Sequence, residues 1–158
     1  MKISPSRLAL FCVLGAATLA GCGTDTEDPA PSSKTQLLTA SPWRITSWTR
    51  TTGTGMPADQ LPAQACQRDD RYSFGTNGVM TRTEGPTACT SGGNSSTVVL
   101  TAPWNFNADQ SILTLGSANM GASSIPYEVV RLTSDVMQLR YSRSVSGQPV
   151  VDNVNYAN

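Results

Sequence analysis

The sequence predicts an all-β fold, an eight-stranded antiparallel up-and-down barrel preceded by one short helix. Three observations predict it. Beyond residue 35, apolar side chains recur at every second position, and no stretch keeps a helical period for more than two turns. Most apolar runs are separated by short turns that leave no room for a crossover helix, so neighbouring strands run antiparallel. Eight strands with one apolar face each close into a small barrel, which removes exposed edges. A flattened two-sheet sandwich is the competing architecture.

The elements follow in order. The helix spans residues 35–39, ahead of Pro42, and its Leu37 and Leu38 plug one end of the barrel. The first strand, 43–51, sets Trp43, Ile45, Ser47 and Thr49 on one face and Arg44, Thr46, Trp48 and Arg50 on the other. A long loop, 53–69, carries Cys66. The second strand, 70–75, points Tyr72 and Phe74 inward, and Asn77-Gly78 turns the chain into the third, 79–84. After a Gly/Ser-rich loop containing Cys89, the fourth strand, 97–107, has the strongest alternation: Val98, Leu100, Ala102, Trp104 and Phe106 share one parity. The fifth strand is 112–116 and the sixth 124–132. The seventh is 136–143, with Met137, Leu139 and Tyr141 on one face, and the eighth is 148–156.

Residues 1–21 read as an export signal. Lys2 and Arg7 precede a dozen apolar residues from Leu8 to Leu19, fewer than the roughly 20 that span a bilayer. Leu19-Ala20-Gly21-Cys22 resembles the lipobox of bacterial lipoprotein signal peptides. The resemblance implies cleavage before Cys22 and lipid on its sulfur and amino group, an anchor strong enough to hold the protein on a membrane. Residues 22–34 form the lipidated tether, acidic and Pro/Ser-rich with no large apolar side chain in 23–33. The barrel domain is 35–158. Gly23 after the cysteine, in place of an aspartate, favours the outer membrane, on its periplasmic or surface face.

Once Cys12 is discarded and Cys22 lipidated, Cys66 and Cys89 remain in an oxidising compartment, and a disulfide between them is expected.

The 158 residues carry 11 basic and 11 acidic side chains and no histidine. Zero net charge gives no footprint for nucleic acid. Without histidine there is no Ser-His or Cys-His pair and no histidine metal site. No catalytic constellation, metal site or cofactor motif appears, and the expectation is a monomer that is not an enzyme. Asp69-Asp70 is read as a polar strand entry beside Arg68 and Arg71, since neighbours on a strand face opposite ways. Arg44, Arg50, Arg82, Arg131, Arg140 and Arg143 are expected on the outer surface, paired with acids such as Glu84 or Glu128.

Three segments in order carry a second resemblance: Leu37-Leu38-Thr39 with Trp43 to Trp48, then Cys66, Asp69-Asp70, Tyr72-Ser73-Phe74 and Asn77-Gly78, then Cys89 and Trp104-Asn105-Phe106 with Ile112 to Leu115. The chain resembles the lipocalin-like domains of small bacterial lipoproteins of the Bacteroidetes type. Ser41 and Ala102 stand where such domains often have glycine two positions before each tryptophan. The resemblance implies a barrel that binds or carries a small hydrophobic ligand. Trp43, Tyr72, Phe74, Trp104, Phe106 and Tyr141 are the candidate lining residues. The alternative is a structural or interaction lipoprotein of the outer membrane whose barrel core is filled by those same side chains.

Overall fold

In the computed structural model, residues 33–62, 64–89, 97–116 and 124–158 are described. The signal, Cys22 and most of the tether lie outside the described residues, as does most of the Gly/Ser-rich loop after Cys89.

A helix, α1 (Lys34–Thr39), opens the described chain. Ser33 caps it: its hydroxyl accepts from Gln36 N–H, and Gln36 Oε1 accepts from Ser33 N–H at 2.8 Å, a reciprocal box that satisfies two donors at the helix start. Leu38 is fully buried, and its carbonyl accepts from the Trp43 indole N–H at 2.9 Å. α1 packs against β3 (Arg71–Phe74) and β7 (Ile125–Leu132).

The remaining strands are β1 (Arg44–Thr52), β2 (Ala58–Asp59), β4 (Val79–Thr83), β5 (Val98–Phe106), β6 (Ile112–Leu115), β8 (Val136–Val145) and β9 (Gln148–Ala157), with a one-turn helix, α2 (Ala65–Arg68), ahead of β3. All pairings are antiparallel, in one sheet ordered β2-β1-β9-β8-β7-β6-β5-β4-β3. The meander runs unbroken from β3 to β9, and the first long strand pairs with the last. The sheet has nine strands where eight are expected, because two residues of the long loop hydrogen-bond to β1 as β2. Its strand order begins at β2 and ends at β3, which are not paired to each other.

The sheet is nonetheless strongly curved. β3 and β9 stand six places apart in the order, yet the Tyr72 and Tyr156 rings meet edge to face at 5.7 Å. An isolated bridge joins Trp43, just before β1, to Tyr72 in β3, each N–H donating to the other's carbonyl at 2.8 Å. One cluster of buried side chains packs on the concave face, including Leu38, Trp43, Phe74, Met80, Trp104, Leu113, Met137, Leu139 and Tyr156.

Three bulges decide which side chains face inward, since one extra residue turns the following positions over. In β1 the register slips between Ile45 and Ser47, so Trp48 and Arg50 join Ile45 on the concave face opposite Val154 and Asp152. The expected outward position of Trp48 and Arg50 is therefore corrected. A slip where β4 meets β5 turns Val98 out, and it is 56% exposed despite its apolar parity. A third slip, in β7, lies between Val129 and Arg131. Among the described residues no helix is long and apolar enough to cross a membrane.

Candidate functional site: an apolar cavity beside a buried ion cluster

A cavity of about 200 Å³ opens on the concave face. β1 contributes Ile45 and Trp48 to it, β3 Tyr72 and β4 Met80. β6 and β7 contribute Leu115, Ile125 and Tyr127, with Gly116 between them, and β9 contributes Val154 and Tyr156. The lining is aliphatic and aromatic, with polarity confined to three phenols and one indole. Burial pushes the phenols of Tyr72, Tyr127 and Tyr156 above the ordinary tyrosine value, Tyr156 by the most. At neutral pH they are uncharged hydroxyls. For Tyr72, Arg82 pulls the other way through its charge and a hydrogen bond without reversing the shift.

Of the six candidate lining residues, only Tyr72 borders the cavity. Trp43 is fully buried under α1. Phe74, Trp104 and Phe106 form a consecutive edge-to-face stack, with centroids 5.7 and 5.9 Å apart, that belongs to the core. Tyr141 packs on Tyr127 at 5.7 Å, and the Arg143 guanidinium lies 5.2 Å from its ring centre.

Next to the cavity lies a charge cluster that sequence reasoning missed. Asp152 is almost wholly buried on the concave face of β9, between Val150 and Val154. Its Oδ1 accepts from Arg50 Nε at 2.7 Å and from the Trp48 indole at 3.3 Å. Its Oδ2 accepts from Arg143 Nη1 at 2.5 Å and Arg50 Nη2 at 3.3 Å. Arg50 and Arg143 are thus corrected from outer-surface residues to inward ones, whereas Arg140 pairs with Glu128 on the exposed face as expected. One signal was available: an acid at the position between valines on a strand's apolar parity needs a buried cation.

Burial pushes the Asp152 carboxyl up, but the hydrogen bonds from Arg50, Arg143 and Trp48 outweigh it and hold its pKa below the usual 3.8. The native state therefore binds this proton more weakly than the unfolded chain. The resulting stability is present above the unfolded pKa and is lost as pH falls through the folded one. Asp152→Asn is expected to cost about 2–3 kcal/mol at neutral pH, less than for a fully buried pair because both arginine side chains are about one third exposed. Urea titrations of both proteins check this, and the difference should shrink in acid once the wild-type carboxyl is protonated.

Asp70 behaves oppositely. It is buried, its Oδ2 lies 3.3 Å from Arg82 Nε, and its Oδ1 has no hydrogen-bond partner. Its cation is thus Arg82, not the expected neighbours Arg68 and Arg71, and Arg82, directly opposite Tyr72, is corrected from the outer surface to the concave face. Burial raises its pKa; Arg82 and the Gly85 N–H offset this only in part, and nearby Asp69 and Glu84 add to the rise. Asp69 turns away and accepts from Thr87 N–H at 2.9 Å. Nearby, the expected disulfide joins Cys66 in α2 to Cys89 beyond β4, with Cα atoms 5.3 Å apart.

Among the described residues, no three acids or cysteines converge to hold a metal ion. No protein-family model matches this chain, and no curated protein is significantly similar to it.

Proposed function

We propose that this protein is a non-catalytic cell-envelope lipoprotein, anchored to the outer membrane through Cys22, whose lipocalin-like barrel binds or carries a small hydrophobic ligand. The observation that carries this reading is the cavity of about 200 Å³ with its aliphatic and aromatic lining. An engineered cavity of about 150 Å³ holds benzene, whereas drug-sized ligands need roughly 300 Å³ or more. A ligand of about one ring with a short substituent fits; a long acyl chain does not.

Several observations support the barrel. The Trp43–Tyr72 bridge brings the β1 side of the sheet to its β3 end, and the Tyr72–Tyr156 contact spans the concave face. The two-residue β2 is an appendage to β1, which leaves eight strands for the wall. A disulfide between the two cysteines left after processing fits an oxidising envelope compartment. The protein acts as a monomer, with the membrane as partner through its lipid and no nucleic acid.

The ligand reading is tested with toluene in thermal melts. A saturating ring-sized ligand at about 100 times its Kd adds close to 2.7 kcal/mol, a rise of roughly 8–10 °C for a domain of this size. Leu115→Trp and, separately, Ile125→Trp fill the cavity and should abolish the rise. The alternative, a structural lipoprotein with a filled core, draws on the packing of Trp43, Phe74 and Trp104 into the core. It predicts no rise in the wild type. The anchor is tested by fractionation: Cys22→Ser should release the protein from membranes, and continued retention would contradict lipidation.

A further inference from the structure

We propose that the ligand is a small amphipathic anion, its apolar body in the cavity and its acidic head on Arg50 and Arg143. The inference rests on the ligand-binding reading above and adds the chemical class. Three observations carry it.

The first is position. Arg50 lies two residues beyond Trp48 on the same face of β1, and Asp152 two residues before Val154 on β9, directly opposite Arg50. Trp48 and Val154 line the cavity. The ion cluster is therefore the adjacent layer of side chains, about 7 Å along the strands. Trp48 joins the layers by lining the cavity and donating to Asp152.

The second is charge. Two guanidiniums share one carboxylate, so the layer carries a surplus of one positive charge. Asp152 already accepts four hydrogen bonds, two on each oxygen. It has no capacity left to compensate further donors.

The third is donor capacity. Arg143 spends one N–H on Asp152 and rests its face on Tyr141. Its other N–H groups have no acceptor among the described residues. The Arg50 and Arg143 side chains remain 35% and 29% exposed, so neither is sealed from a ligand, and both are held in place by Asp152. A carboxylate placed there gains charge-assisted hydrogen bonds from a preorganised donor pair. A neutral polar group of the same shape gains much less.

Calorimetric titration of the purified protein with 3-phenylpropionate and its neutral isostere 3-phenylpropionamide tests the inference. The acid should bind at least about tenfold more tightly. Arg143→Gln leaves the bidentate Arg50–Asp152 pair in place; it should erase that advantage while leaving the amide's affinity within about twofold. Arg50→Gln, with Arg143 retained, provides a second variant should the first fold poorly. Equal affinities for acid and amide would overturn the head-group assignment and leave the apolar cavity standing. An acid preference unchanged in both variants would also overturn it, by locating the head elsewhere. Binding of neither compound would overturn the cavity reading and this inference together. Acetate, which offers a head without a body, should not bind measurably; acetate as tight as the phenyl acid would reduce the site to an ion-exchange surface and overturn the class.

Discussion

Trp43→Ala is expected to remove about 4 kcal/mol of stability, roughly 15 °C in Tm. Trp43 has no solvent exposure, and its indole N–H is committed to the Leu38 carbonyl. Truncation opens a cavity beneath α1 and strands that carbonyl in an apolar setting. It also strips the side chain from the residue whose backbone bridges to Tyr72. Trp43→Phe separates these contributions. It keeps most of the volume and should cost about 1–2 kcal/mol, chiefly for the unsatisfied carbonyl. Urea unfolding checks both, and a loss below about 1 kcal/mol for the alanine variant would mean that α1 and Trp43 do not plug the core.

Removal of the disulfide ranks second. Cys66 and Cys89 are 23 residues apart, and on the chain-entropy account opening that loop costs about 3 kcal/mol. The double variant Cys66→Ser/Cys89→Ser should show that loss in urea, and the wild type under reductant should match it. Mass spectrometry of the intact protein should find two hydrogens fewer than in the reduced form. A midpoint unmoved by reductant would mean that the link between α2 and the segment after β4 holds nothing that the sheet does not already hold.

Strand positions were legible in the sequence because period-two alternation is strong in β5 and β8 and turn residues separate the runs. The facing of the side chains was less so. A bulge has no composition signature, so the slip at Thr46 hid the inward turn of Trp48 and Arg50. The ion cluster depends on that slip and on the pairing of the first long strand with the last, 102 residues apart at Arg50 and Asp152. Hairpin reading finds neighbours in sequence and is silent about that pairing. β2 and α2 are too short for any periodicity to register. The Ser33–Gln36 capping box carries a sequence signal, a serine three residues before a glutamine, and it starts the helix at Lys34, one residue ahead of the expected start. The candidate lining was mostly misplaced because the largest aromatics pack the helix-plugged core, while Ile45, Trp48, Tyr127 and Tyr156 surround the space that remains.

The proposed enclosed interior requires the β1 side of the sheet to meet its β3 end through the backbone of Trp43 and Tyr72. Amide hydrogen exchange at these two residues tests this most directly. A closed wall predicts that both amides exchange only on global unfolding, with protection within about tenfold of Leu139 in the middle of β8. Exchange of Trp43 and Tyr72 at the rate of frayed edge strands, with Leu139 still protected, would contradict the closed wall and leave an open, curved sheet.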